Sequence, residues 1–345
     1  MSAATTSTAP VEQPKAQLYS FPGSVWASSP RLALIEKGYS PSDVEIRTVD
    51  LLKGENFAPS YLRLNSKATL PTLVVPLAST ISGEVDTKYR AITTSDEVLR
   101  FLDQSRSAQS LEAKGEAGGK SNPAPMLSPA TIDDKAAGDA LVALVAGPSA
   151  DPNFLLLAAR TSAELAKQQQ GFQATFCKNR YEAIQKYRSE ISTTITSTEN
   201  PRTQQQSAAL IKWYDDKLAE ISLLTEVYVN DDATAKTKLI EAGVATWKGV
   251  GAALTQIEAG LKGPFLLGGQ VSLADLQVGV WLARVLSVAQ GLYPGESDAV
   301  SALSQALSWE GLGEGATTVG PKIGAYWKLL MERPSFQEVY KDGLH

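Results

Sequence analysis

Histidine and cysteine are almost absent from this chain: one of each, His345 and Cys177, in 345 residues. A lone cysteine forms no internal disulfide, so the expected home is the reducing cytosol. One histidine excludes by count a histidine triad, a multi-His metal site and a Cys/His zinc site. Basic charge is also short. Lys and Arg number 32 against 37 Asp and Glu, a formal net charge of −5. That argues against nucleic acid or an anionic membrane as partner, since both need a basic surface. No apolar run approaches the roughly 20 residues that span a bilayer. The opening "MSAATTSTAPVEQPKAQ" holds neither an apolar signal core nor an arginine, so neither a secretory nor a mitochondrial leader is expected there. Residues 1–14 read as a disordered tail. What chemistry remains must use hydroxyls, carboxylates, backbone amides, or a reactive group carried by a bound cofactor.

What is present is the balance of a soluble globular protein, 43% hydrophobic and 20% charged, in a chain long enough for two domains. Residues 15–103 alternate strand and helix. Leu18–Phe21 reads as a strand, and "SVWASSP" leads into a helix over 30–37 that Ser29 is placed to cap, with Pro30 in its first turn and Gly38 ending it. Residues 44–51 alternate apolar and polar residues and suit a strand. A short helical turn over 60–64 follows, then a buried strand over 73–77. Residues 89–93 pair with that strand as a hairpin, across a loop that is long for one. Ser95 is placed to cap the next helix, with Val98, Leu99 and Leu102 on one face. The order is βαβ, then ββα.

Residues 104–130 lose this pattern and are rich in Ser, Gly, Ala and Pro, the composition of a linker. Beyond it lie only helical patterns, at 131–146, 153–196, 204–228, 233–261, 273–290, 298–308 and 320–331. Phe172, Phe176, Ile184, Tyr187 and Ile191 repeat at helical spacing, as do Leu210, Trp213, Leu218, Ile221, Leu224 and Tyr228, with the polar turn "STENPRT" between them. An antiparallel helical hairpin, inserted over about 160–228, is the expected result. "SLAD", Ser272–Asp275, has the form of a capping box with a structural role. Cys177 beside Phe176 reads as a packed, inert thiol. Trp26, Trp247 and Trp327 either line an apolar pocket or sit in the core.

Several stretches, in order over about two thirds of the chain, resemble the glutathione transferases: "LYSFPGSVWASSPRLALIEKG", "VDLLKGENFAPSYLRLNSKATLPTLVV", "TTSDEVLRFLD", "FLLGGQVSLADLQVGVWLARV" and "LLMERPSF". The enlarged helical region is similar to that of fungal transferase-like proteins and, more loosely, of the ganglioside-induced differentiation-associated branch. The resemblance implies an α/β thioredoxin-like domain over 15–103 that binds glutathione, and an all-α transferase domain over 131–345 with the inserted hairpin. It also implies a homodimer in the cytoplasm.

Residue by residue, the resemblance implies a cis bond at Leu70-Pro71 that presents the Leu70 backbone to the cysteinyl part of glutathione; the plain alternative is a trans proline opening a strand. It assigns Ser95, at a helix N-terminus, to the γ-glutamyl carboxylate, where a simple N-cap is equally compatible. Thr94 stands where the family usually has an acid, which leaves a neutral acceptor there, and Asp96 is the residue placed to compensate. Lys53 and Asn56, with Lys67 behind them, fall where the family contacts the glycyl carboxylate; solvated loop residues are the alternative. Ser24 falls at the catalytic position of the serine and cysteine classes, with Ser28, Ser29 and Tyr19 as substitutes. Its hydroxyl would hold the glutathione sulfur as thiolate, lowering a thiol pKa of about 8.5. A serine cannot form the mixed disulfides of thiol-transfer chemistry. The expected reaction is therefore conjugation of glutathione, the co-substrate, to a small hydrophobic electrophile in detoxification, with no metal. Two other functions remain: a non-catalytic binding or regulatory module, and a reductase dependent on Cys177, which lies far outside the loop.

Overall fold

Four short β-branched or aromatic segments pair into one sheet of order β2-β1-β3-β4. The strands are β1 (Ala16–Ser20), β2 (Val44–Thr48), β3 (Thr72–Pro76) and β4 (Tyr89–Ile92). β1 runs parallel to β2, and β3 runs antiparallel to both β1 and β4. Helices α1 (Val25–Glu36) and α3 (Ser95–Ser105) pack together on this sheet, while α2 (Pro59–Leu62) is a single turn ahead of β3. The computed structural model describes residues 15–77, 88–106, 125–197, 200–313 and 319–345. The expected tail, the β3–β4 loop and residues 107–124 of the expected linker lie outside them.

The chain then runs through α4 (Ile132–Ala146), α5 (Pro152–Leu157), α6 (Ser162–Gln168), α7 (Phe172–Ser197), α8 (Pro201–Glu220), α9 (Ser222–Tyr228), α10 (Ala233–Gly260), α11 (Leu273–Leu292), α12 (Ala299–Leu307), α13 (Pro321–Met331) and α14 (Pro334–Val339). Among the described residues no single helix is long and apolar enough to cross a membrane. α11 is buried nearly all round and joins the two halves into one core, in which Leu18, Leu32, Leu73 and Leu99 of the sheet layer continue into Leu276, Val280, Trp281 and Leu282. Its start is the expected capping box: Ser272 Oγ accepts from Asp275 N, and Asp275 Oδ2 accepts from Ser272 N at 2.7 Å.

Two helix starts differ from expectation. α1 begins at Val25, with Ser24 rather than Ser29 as N-cap, and Pro30 lies inside the helix. A proline there removes the N–H that would bond Trp26 O, and the Ser29 hydroxyl replaces it at 3.0 Å. α3 is capped by Thr94, whose extended backbone and side-chain bond from Glu97 N make Ser95 the first helical residue.

α7 and α8 form an antiparallel hairpin, joined across their faces by Arg188 and Asp215, that is shorter than the expected 160–228: α6 and α9 are separate helices, and Leu224 and Tyr228 of α9 pack in another cluster. Its apolar stripe covers more than itself. Ile184, Tyr214 and Ile221 share a core with Phe57 and Ala68 of the first domain. Tyr214 Oη donates to Phe57 O at 2.7 Å, Trp213 Nε1 to Ser66 O at 2.9 Å, and Asn179 Nδ2 to Leu52 O at 3.1 Å. Residues 125–128, read as linker, are pinned as well. Lys37 Nζ donates to Pro125 O, and Asp103 accepts from Leu127 N and Ser128 N.

Candidate active site

The sheet register gathers the candidate residues. Tyr19 pairs with Thr72, and Leu73 pairs with Ile92. The loop after β1, the residues before β3 and the residues after β4 therefore leave the same end of the sheet. That end carries Ser24, Leu70-Pro71, and Thr94 with Ser95. Two helices also start there, so their exposed amides and positive dipole ends converge on it.

Ser24 is half-exposed, and its side chain takes no part in capping α1. Its carbonyl is held twice over, by Ser28 N at 3.1 Å and Ser28 Oγ at 3.0 Å. Ser28 and Ser29 are both buried and engaged with backbone. Tyr19 packs edge-on against Tyr61 within a small cluster that includes Leu70. Of the four hydroxyl substitutes and candidates in this stretch, Ser24 is the one on the surface end of the sheet with its oxygen left out of the local bonding.

The Leu70-Pro71 bond is cis. A polar network braces it: Thr69 O accepts from Tyr61 Oη at 2.7 Å and from Asn65 Nδ2 at 2.8 Å, and both also reach Thr72 Oγ1. Burial pushes the Tyr61 phenol up to about 12, so it stays neutral and a donor. Asn56 belongs to this brace. It is 7% exposed, with Nδ2 on Ala68 O at 2.8 Å and Oδ1 buried and unpartnered among the described residues. Lys53 is 73% exposed and paired with Asp50 at 3.1 Å. Lys67 is exposed.

At the third corner, Thr94 Oγ1 donates to Glu97 Oε2 at 2.9 Å. Asp96 instead pairs with Arg100, which also reaches Asp139 on α4. The acid beside Thr94 is thus Glu97, a residue the linear pattern did not single out. Trp247 and Trp327 are core, Trp247 stacking under the Arg160 guanidinium. Cys177 is buried and its thiol pushed up to about 12 by burial, an inert group.

Residues 18–110 match the glutathione S-transferase N-terminal domain family, and residues 229–311 the glutathione S-transferase C-terminal domain family. The chain belongs to the glutathione S-transferase superfamily. It is similar to a protein named glutathione S-transferase 1 of Dianthus caryophyllus, 46% identical over 63 residues, which is 18% of this chain and 27% of that one. It is also similar to a tetrachloro-p-hydroquinone reductive dehalogenase of Sphingobium chlorophenolicum, 42% identical over 62 residues, 18% of this chain and 24% of that one. The alignments span about a quarter of each curated relative. Among solved structures, a β-etherase from Sphingobium sp. strain SYK-6 shares the fold with TM-score 0.51 at 18% identity, over 95% of this chain and 100% of that one. The two matched segments leave residues 111–228 between them, and that interval holds the helical hairpin.

Proposed function

We propose that the protein is a glutathione transferase of the serine type. Glutathione binds at the common end of the sheet, its γ-glutamyl carboxylate on Ser95 and the α3 amides, with Thr94 beside them. Its cysteinyl backbone pairs with Leu70 beside Pro71, and its sulfur faces Ser24. Lys53 is the solvent-side group for the glycyl carboxylate, while Asn56 shapes the loop from behind. Family membership supports the ligand. The observation that carries the reaction is the Ser24 hydroxyl, outside the capping bonds at the head of α1. A hydroxyl hydrogen bond and a helix dipole both favour the anionic sulfur. The thiol proton goes to solvent, and the thiolate attacks a small apolar electrophile, forming a C–S bond as the carbon–leaving-group bond breaks and the leaving group, halide for an aryl halide, departs to solvent. Homodimerisation and action in the cytosol belong to the same proposal. Retention on immobilised glutathione followed by turnover of an aryl halide is the expected outcome. Retention without turnover contradicts conjugation and leaves the second reading, a non-catalytic binding module. That reading is favoured by the pairing of Lys53 with Asp50 and by the hairpin seated on residues 52–66.

A further inference from the structure

Arg284 lies on α11 and is 3% exposed. Its Nη2 donates to Gly23 O at 2.8 Å, on the residue immediately before Ser24. Its Nε is buried without a partner, and no carboxylate forms an ion pair with it among the described residues. The groups that face it are few. Arg31 of α1 brings a second cation, with a buried, unpartnered Nη1. His345 sets its Nε2 2.9 Å from Ser28 Oγ, and the Tyr340 ring lies 4.9 Å from the imidazole, tilted by 40°. Tyr340 and then Asp151 act on Arg284 through space, and Tyr340, Glu338 and Asp342 on Arg31. Burial, then the charges of Arg284 and Arg31, push His345 down to about 4, so it is neutral at pH 7. Burial pulls Arg284 down to about 10, still a cation at pH 7.

A buried cation with no counter-ion is costly. It is tolerable where a negative charge arrives as part of function. Here the adjoining loop carries the proposed sulfur-binding hydroxyl.

We propose that Arg284 is a positioning residue of this active site: its guanidinium fixes the Gly23 carbonyl, and with it the loop that aims Ser24, and sets a positive charge behind the place where the sulfur becomes an anion. This rests on the proposed glutathione chemistry. The charge acts on the sulfur through the loop, not by contact, and it reaches the site from the helical domain. Domain packing and thiol activation are therefore coupled through one side chain.

The test titrates the thiolate absorbance of glutathione bound to the full chain, in wild type, Arg284→Gln and Arg284→Lys, alongside the pH profile of kcat/KM. The glutamine variant is expected to raise the bound thiol pKa by about one unit, or about tenfold less thiolate at pH below it. The lysine variant keeps the charge but loses the planar fork; its thiol stays depressed while kcat falls at least about threefold. A folded glutamine variant that titrates as wild type overturns the proposal. Should that variant not fold, wild-type kcat in the lysine variant overturns it. A wild-type protein that leaves the glutathione thiol unperturbed sinks the transferase reading itself, which is a different result.

Discussion

Ser24 and its neighbours show how far identity alone defines a role. Ser20, Ser24, Ser28 and Ser29 share one stretch and one functional group. Ser20 is buried at the end of β1 with its hydroxyl unpartnered among the described residues, Ser28 and Ser29 bind backbone carbonyls, and Ser24 is the partly exposed serine, its hydroxyl making no cap bond. The family resemblance pointed to Ser24 by position. What no linear pattern shows is that Ser29 replaces the hydrogen bond missing at Pro30, which lets α1 start five residues before the proline and brings its amides to Ser24. Asn56 is the converse case. Polarity and position made it a ligand candidate, yet burial and the Ala68 carbonyl make it a brace. Replacing Ser24 by Ala is expected to lower kcat/KM about ten- to hundredfold at pH 7, equivalent to one to two units of thiol pKa. The same change shifts the alkaline rise of the pH profile upward, because less thiolate is present at each pH. Ser28→Ala, which removes a bond to the Ser24 carbonyl but no group facing the sulfur, is expected to leave that rise in place. Identical upward shifts in both variants contradict the assignment.

The hairpin α7–α8 lies in the interval between the two segments that match the family. Its periodicity was readable in the sequence because each helix carries an apolar stripe. Its docking site was not, because part of that stripe is matched by Phe57 and Ala68, more than a hundred positions away in residues that read as loop. Gly54 shows how close the approach is. Its φ is +67°, and a Cβ there would lie 2.4 Å from Ala183 Cβ on α7. Gly54→Ala therefore combines a left-handed backbone penalty with overpacking, and is expected to cost about 2–4 kcal/mol in denaturant unfolding. It should also raise the KM for glutathione, because the segment displaced runs from Lys53 to the cis-proline brace. A wild-type midpoint and KM in that variant contradict the view that the hairpin shapes the site.

Across the whole molecule, a buried charge pair anchors the segment that leads from the first domain into the helices. Lys37 and Asp103 pair at 2.8 Å with both side chains fully buried, and hold Pro125, Leu127 and Ser128 against the first domain. Burial alone raises the Asp103 carboxyl, but the hydrogen bonds from Lys37, Ser128 and Leu127 outweigh it and hold its pKa below the usual carboxylate range. A carboxylate depressed in the folded state adds stability above its unfolded pKa of about 3.9, lost as pH falls through the folded value. Asp103→Asn is expected to cost about 3–5 kcal/mol at pH 7, leaving Lys37 buried without its counter-ion. The variant's stability should also change less than wild type's between pH 5 and pH 3, measured by urea midpoints. Equal slopes contradict this account of the pair. The division into a βαβ-ββα domain and helices was readable from periodicity; the role of Arg284 was not, because α11 reads as continuous core. All of this framework serves one claim, that a serine hydroxyl at the head of α1 holds a glutathione thiolate. Ultraviolet titration of glutathione bound to the wild-type protein tests it most directly. The bound thiol is expected to titrate one to two units below that of free glutathione; a bound thiol that ionises as it does in water contradicts the serine-held thiolate.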